Sequence, residues 1–225
     1  MKRYAFFLLL LMILILPLAV SAQEAEDVTS QCAISATKGK FKKLDRLYDR
    51  NYDTTYISNK VKNPYIEVKA PAGKPLYGLY VCFGGDLTPW EVQAKKGGSW
   101  TTVFSSDGVY AHEYLPLEGE KEIRIMPVTR KAVAFTVSEI FALGEGDVPS
   151  YIQRWEPAPE KADLLVLSGH PDDEILFFGG AIPTYAGERK LRVVVAYLTC
   201  GTKGDGTQNR RSELLNGLWH MGVRT

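Results

Sequence analysis

The sequence predicts two domains of different class, a β-sandwich followed by the start of a parallel α/β sheet. Between about residues 28 and 143 the apolar residues form short runs, rich in β-branched and aromatic types, that are separated by turn-forming residues. From residue 163 onward, continuous apolar runs alternate with helical patterns. A stretch rich in glycine and proline divides the two patterns. We therefore expect a sandwich over 27–145, a linker over 146–161 and an α/β domain over 162–225.

The first 22 residues have the pattern of a secretory signal peptide. Lys2 and Arg3 precede an apolar stretch from Ala5 to about Leu18, and small residues lead up to Ala22. This pattern predicts cleavage near Ala22 and a mature protein that is secreted or held at the cell surface. An uncleaved membrane anchor is the alternative for this segment. Later segments are too short or too polar to span a bilayer, so we expect no membrane span in the mature protein.

The composition does not favour some classes of partner, and it leaves the pairing of the cysteines undecided. A formal net charge of +1 offers no electrostatic reason to expect a nucleic acid or an anionic membrane as partner. Three cysteines are too few for a disulfide scaffold. Cys32 and Cys82 lie in one predicted domain, where they form either a bridge or two free thiols. Cys200 is then expected to be a free thiol.

Individual strands of the first domain follow from local patterns. The segment YIEVKAP alternates apolar and polar residues, whereas LYGLYVCF and AVAFTVSEIFAL are apolar enough for buried strands. Gly97 and Gly98 stand between two strand-like segments and indicate a two-residue hairpin turn. Several short strands with turns between them are typical of a β-sandwich.

The second domain begins with two strand and helix pairs. ADLLVLSG and LRVVVAYLT are continuous apolar strands, and they are followed by the helical segments DEILFFGGAIPTYAGE and NRRSELLNGLWHMG. This alternation implies parallel pairing of the two strands.

A histidine and three acids follow the first of these strands directly. In an open α/β sheet this edge carries the ligand crevice, so His170 and Asp173 are placed to bind a divalent zinc ion. Asp172, left off the metal, could accept a proton from water. The alternative is that Asp172, Asp173 and Glu174 are simply an acidic helix N-terminus that caps free amides.

The segments LLVLSGHPDDEILFFGGAI, VVVAYLTCGTKGD and NRRSELLNGLWHMGV resemble, in this order, the start of the PIG-L/LmbE family. Its members are zinc-dependent enzymes that remove acetyl groups from N-acetylglucosamine-type substrates on a Rossmann-like α/β fold. The resemblance implies that His170 and Asp173 are zinc ligands and that Asp172 is the general base. Arg210 would contact the substrate; alternatively it is a surface residue paired with Glu213.

The sequence departs from this family in two respects. Family members take a third zinc ligand from a later segment with paired histidines, and no such segment follows here. Of the other histidines, we interpret His112 as a surface residue and His220 as a partly buried or capping histidine at a helix end, with zinc ligation as the alternative for His220. The α/β pattern also reaches only two strands and two helices by Thr225. We therefore expect an incomplete catalytic domain.

The first domain resembles the discoidin or coagulation-factor type C module, a galactose-binding-like β-sandwich. The segments LYDRNYDTTYIS, WEVQAKKGGSWTTV and EIRIMPV carry this resemblance, together with FTVSEIFALG. Such modules bind carbohydrate through loops at one end, which makes the aromatic and acidic residues of these segments candidates for sugar contact: Tyr48, Asp49, Tyr52, Asp53, Tyr56 and Trp90. The alternative is that the aromatic residues belong to the core and the acids form turns.

Together these observations predict an exported zinc-dependent hydrolase that removes N-acetyl groups from N-acetylglucosamine-type sugars or glycans. A carbohydrate-binding module would target it. Two alternatives stay open: a carbohydrate or cell-surface binding module with an inactive, truncated catalytic stub, or a metal-dependent amidase acting on a non-sugar amide. The sequence leaves the oligomeric state undetermined.

Overall fold

A computed structural model describes residues 23–39, 43–85, 87–199 and 207–225. The predicted signal peptide and Cys200 lie outside these residues. In the described part of the chain, helices are too short and too polar to cross a membrane. Cys32 and Cys82 are both free thiols in this structure.

The first domain is a sandwich of two antiparallel sheets. One sheet has five strands in the order β1-β3-β8-β5-β6 and the other has four in the order β2-β9-β4-β7. The five-stranded sheet contains β1 (Ala33–Ala36), β3 (Ile66–Lys69), β5 (Trp90–Lys96), β6 (Ser99–Ser106) and β8 (Glu122–Pro127). The four-stranded sheet contains β2 (Tyr56–Ile57), β4 (Leu76–Phe83), β7 (His112–Glu120) and β9 (Thr136–Leu143). Short 3-10 helices at Thr29–Gln31 and Leu44–Leu47 precede β1 and β2.

Alternating side chains of the two sheets form the sandwich core. Strands of the five-stranded sheet bury every second residue, as in β3 and β8, whereas β4 and β9 are buried on both faces. The main cluster includes Ile66, Val68, Leu79, Val81, Val92, Leu115, Ile123, Ile125, Val137 and Ile140. Gly97 and Gly98, at φ 59° and 87°, form the predicted turn between β5 and β6. The sandwich prediction is confirmed.

The second domain is a small parallel sheet with helices beside it. β10 (Leu164–Ser168) pairs in parallel with β11 (Val193–Tyr197). The helices are α1 (Asp173–Phe178), a π-helix (Pro183–Glu188) and α2 (Thr207–His220). One apolar cluster, with Val166, Val193 and Leu214 among its members, fills the space between the sheet and the helices. The predicted start of a parallel α/β sheet is confirmed.

Two features of the second domain differ from a regular layer. The helix predicted to continue from residue 173 to 188 is interrupted at Gly179 and Gly180, since the first of these begins a turn and the chain then passes into the π-helix. Apolar residues on the opposite face of the sheet and on α1 are exposed, among them Leu167, Phe177 and Leu198. This face of the two-stranded sheet is uncovered in the described structure.

The segment predicted as a linker packs between the two domains. Residues 146–161 contain no helix or strand, yet Ile152 and Gln153 are buried. Trp219 of α2 donates its indole N–H to the Ser150 carbonyl at 2.9 Å and lies against Trp155, with ring centroids 5.6 Å apart. The segment therefore connects the domains through a packed interface.

His112 lies at the centre of this interface, so its interpretation as a surface residue is wrong. The side chain is fully buried (0% exposed) because the linker and α2 cover the outer face of β7. Its Nδ1 lies 3.1 Å from the Tyr80 hydroxyl and 3.0 Å from Gln153 Oε1, while Nε2 lies 3.0 Å from Ser212 Oγ. The Tyr52 ring stacks on the imidazole at 5.6 Å. Burial lowers the pKa of His112 to about 4 from an ordinary value of 6.5, and the nearby Arg211 charge acts in the same direction.

This shift predicts a loss of stability in mild acid. The unfolded chain takes up the His112 proton near pH 6.5, whereas the folded chain resists it until about pH 4. The contribution of His112 to the free energy of unfolding is thus complete above pH 6.5 and declines as the pH falls from 6.5 to 4. Below pH 4 it is constant. A pKa shift of this size corresponds to a loss of about 3 kcal/mol in the free energy of unfolding. We expect urea unfolding of the wild type to follow this decline more steeply than that of His112→Gln; parallel pH profiles would contradict the assignment.

Candidate functional site

The candidate site lies in the turn that joins β10 to α1. The sheet holds this turn in place, since the segment after β11 continues its ladder: the amides of Leu198 and Thr199 donate to the carbonyls of Ser168 and Gly169 at 2.9 and 3.1 Å. The Thr199 hydroxyl lies 3.2 Å from the same Gly169 carbonyl. The four polar residues from 170 to 174 are therefore anchored at the carboxyl edge of a parallel sheet, where α/β folds bind ligands.

His170 and Asp173 meet in this turn. The His170 Nδ1 atom lies 3.3 Å from Asp173 Oδ2, and the same oxygen accepts the His170 backbone N–H at 2.9 Å. A Cβ atom on Gly169 would come within 2.8 Å of this oxygen, so the glycine leaves room for the carboxylate. The structure thus brings together the two residues that the sequence indicated as metal ligands.

The spacing of this pair fits a tetrahedral metal. Two atoms that bind one zinc ion at its usual bond lengths lie about 3.3 Å apart, and nitrogen with oxygen is a normal donor combination for zinc. Within the described ranges, no group of three or more histidine, cysteine or acidic side chains is arranged to hold a metal. The residues present would supply one edge of a coordination tetrahedron.

Asp172 lies between these two residues in the sequence and is held by Arg210. Its backbone has φ 134° and ψ −28°, a conformation that residues with a Cβ rarely adopt and that is concentrated at functional sites. Arg210 Nη2 lies 2.8 Å from Asp172 Oδ2, and the same nitrogen donates to the Pro171 carbonyl. The Arg210 contact with Glu213 is longer, at 3.8 Å. Arg210 therefore fixes the carboxylate that the sequence indicated as the base.

The helix-capping interpretation accounts for little of this arrangement. Asp172 occupies the N-cap position of α1 but makes no side-chain capping hydrogen bond. Asp173 accepts from His170, outside the helix, and only Glu174 binds an amide at the helix start, that of Asp172 at 2.9 Å. Two of the three acids are therefore arranged for purposes other than capping.

Sequence patterns missed a tyrosine beside this turn. Tyr197 ends β11, and its hydroxyl is buried without a hydrogen-bond partner in the described structure. Burial raises the pKa of the Tyr197 phenol, and the neighbouring Glu174 carboxylate raises it further. Its position at a strand end beside the acids was the available signal.

The structure gives most of the predicted sugar contacts other roles. Trp90 is in the sandwich core, 1% exposed, and donates its indole N–H to Glu113 at 3.0 Å, so its interpretation as a stacking surface is corrected. Tyr56 is buried with its hydroxyl on the Thr37 carbonyl. The Tyr52 ring stacks on the buried His112 imidazole.

The remaining candidates lie in the turn that follows the second 3-10 helix. Asp49 accepts from the Thr54 hydroxyl at 2.8 Å and from the Asn51 amide at 2.9 Å, which makes it a turn former. Tyr48 is partly buried against the core. Asp53 is exposed. The structure therefore leaves Asp49 and Asp53 as the exposed members of this set.

The turn thus holds a nitrogen and oxygen donor pair, together with a carboxylate oriented by Arg210, at the carboxyl edge of a parallel sheet. Residues 165–225 match the family model described as PIG-L: GlcNAc-PI de-N-acetylase. A search of curated proteins finds no match to this chain.

Several solved structures are similar to the sandwich. One is the family 32 carbohydrate-binding module of NanJ from C. perfringens, in complex with galactose. It is 15% identical to this chain with a TM-score of 0.44, and the match covers 53% of this chain and 97% of the module. An F5/8 type C domain from Bacteroides fragilis is 19% identical with a TM-score of 0.42, and the match covers 54% of this chain and 96% of that domain. A chitosan-binding module from Paenibacillus sp. IK-5 is 13% identical with a TM-score of 0.46, and the match covers 53% of this chain and 99% of that module.

Proposed function

We propose that this protein is an exported zinc-dependent hydrolase that removes N-acetyl groups from N-acetylglucosamine-type sugars or glycans. The observation that carries the proposal is the His170 and Asp173 donor pair, 3.3 Å apart, in a segment that matches a GlcNAc-PI de-N-acetylase model. Asp172 beside this pair supports hydrolysis rather than a purely structural metal, because it leaves a carboxylate free for proton transfer.

In this proposal His170 Nδ1 and Asp173 Oδ2 hold the zinc ion. When bound, zinc acts as a Lewis acid that activates water and polarises the acetamide carbonyl. Asp172 accepts the proton of the attacking water and delivers it to the amide nitrogen as the C–N bond breaks, so that acetate and a free amine are the products. Arg210 keeps the Asp172 carboxylate directed at this position through their 2.8 Å contact.

The sandwich is proposed to hold the glycan while the second domain acts on it. The packed interface supports this division, because Gln153 and His112 join the two domains through buried hydrogen bonds rather than a free linker. Export is part of the proposal and rests on the N-terminal sequence pattern. N-terminal sequencing of the secreted protein is expected to begin near Gln23.

Acetate release tests the proposed reaction. The full-length, zinc-loaded protein is incubated with N,N′-diacetylchitobiose and, in parallel, with N-acetylated amines that lack a sugar ring. We expect acetate from the sugar substrate at a rate at least about tenfold higher, a difference of about 1.4 kcal/mol in transition-state binding. Equal rates on both would favour a non-sugar amidase, and release from neither would overturn the proposed hydrolysis.

A further inference from the structure

A cavity of 760 Å³ opens at one end of the sandwich, and its lining contains none of the residues of the candidate zinc site. Three chain segments line it: the one after β2, the one between β4 and β5, and the one between β8 and β9. Its volume lies in the range of pockets that bind small molecules or a few sugar units. Pro89 and Val128 contribute apolar wall, and Thr88 and Thr129 contribute hydroxyl-bearing side chains.

Backbone hydrogen bonds hold these segments together. Val61 and Val133 exchange two bonds, of 3.1 and 3.0 Å, which join the segment after β2 to the segment before β9. The Val128 amide donates to the Pro89 carbonyl at 2.8 Å and ties in the third segment. The cavity walls are therefore fixed before a ligand arrives, which reduces the entropy lost on binding.

Four cationic side chains are carried by two of these segments. Lys60 and Lys131 line the cavity itself. Lys62 and Arg130, which lie within two residues of them in the sequence, are exposed. Among the residues that the structure describes, the ion pairs involve none of these four. Lys95, Lys96 and Arg124, which lie on strands, are each paired with a glutamate.

We infer that this cavity binds an anionic saccharide, one that carries carboxylate or sulfate groups, through Lys60 and Lys131. The inference deepens the glycan-holding half of the proposed function and rests on it. Lys60 and Lys131 take part in no ion pair among the described residues, so they give the cavity a positive charge that a bound anion would neutralise. The hydroxyl and apolar parts of the wall suit a sugar ring better than a bare inorganic anion.

Binding to a matched pair of probes tests the inference. Oligogalacturonate and its fully methyl-esterified form share one sugar chain and differ in charge. By isothermal titration calorimetry we expect the free acid to bind at least about tenfold more tightly than the ester, the gain typical of one charge-assisted hydrogen bond. Equal binding of the two forms would overturn the inference.

A double variant and a matched control locate the effect. Lys60→Gln with Lys131→Gln is expected to weaken oligogalacturonate binding at least about tenfold. Lys69→Gln with Lys121→Gln removes the same charge from exposed positions at the opposite end of the sandwich and should leave binding unchanged. Equal weakening by both pairs, or equally tight binding of single-stranded DNA of the same charge, would show a general polyanion effect and overturn the assignment. Because binding is measured without turnover, a failure of acetate release leaves this result separately interpretable.

Discussion

Replacing Asp172 with asparagine is expected to lower kcat for acetate release by about 10²- to 10⁴-fold, the usual contribution of a positioned general base. Asparagine has nearly the same shape, but it cannot accept the proton that the attacking water must lose. Zinc content should not change, since the metal is assigned to His170 and Asp173 rather than to this residue. The measurement is acetate release at saturating substrate, with zinc content determined on the same sample.

Two further variants separate base chemistry from general damage. Asp163→Asn is the matched control, because this exposed carboxylate pairs with Arg192 before β10, away from the turn. It should retain wild-type kcat. Arg210→Met removes the partner of Asp172 but keeps the carboxylate, so we expect a smaller loss than for Asp172→Asn. Retention of full activity by Asp172→Asn would show that another group takes the proton.

The second large effect concerns Trp90 and stability. Trp90→Ala is expected to lower the free energy of unfolding by about 3–5 kcal/mol, as for other large-to-small core substitutions. The indole is 1% exposed and packs against Phe83 and Phe104 at centroid distances of 5.1 and 5.4 Å. Its loss also removes the hydrogen bond to Glu113, a carboxyl whose pKa burial already raises. Urea unfolding of the variant measures this change.

Trp100→Ala is the control for this prediction. Trp100 lies on the neighbouring strand β6, is only partly buried, and has the Arg124 guanidinium 3.9 Å from its ring centroid. Its removal should cost about 1 kcal/mol, the usual value of an exposed cation–π contact. A Trp90→Ala protein with unchanged stability but impaired glycan binding would restore the stacking role that the sequence indicated.

Local patterns in the sequence were sufficient for much of the architecture. The segments around Ile66 and Ile125 alternate apolar and polar residues because successive side chains of a strand point to opposite faces. The glycine pair after β5 reflects the backbone angles that a tight turn requires. Both signals depend only on residues that are neighbours in the sequence. The position of His170 and Asp173 at a strand end follows equally from local order, because strand, turn and helix succeed one another directly.

Long-range packing was not accessible in the same way. His112 appears in a polar context beside Glu113, yet Gln153 and Ser212 bury it from positions 41 and 100 residues away. Trp90 fits a strand edge as well as a core site, and only pairing of β5 between β6 and β8 decides the matter. The contact of Arg210 with Asp172, 38 residues apart, likewise depends on how α2 packs near the turn.

Zinc stoichiometry of the full-length protein tests the central claim most directly. Metal analysis after dialysis against zinc is performed on the wild type, His170→Ala and His220→Ala. His220 is the matched control, because it is exposed and bonds through Nδ1 only to the Asn216 carbonyl in the described structure. The account predicts one zinc per chain in the wild type and in His220→Ala, and its loss in His170→Ala. Unchanged zinc in His170→Ala would contradict the assignment of the site.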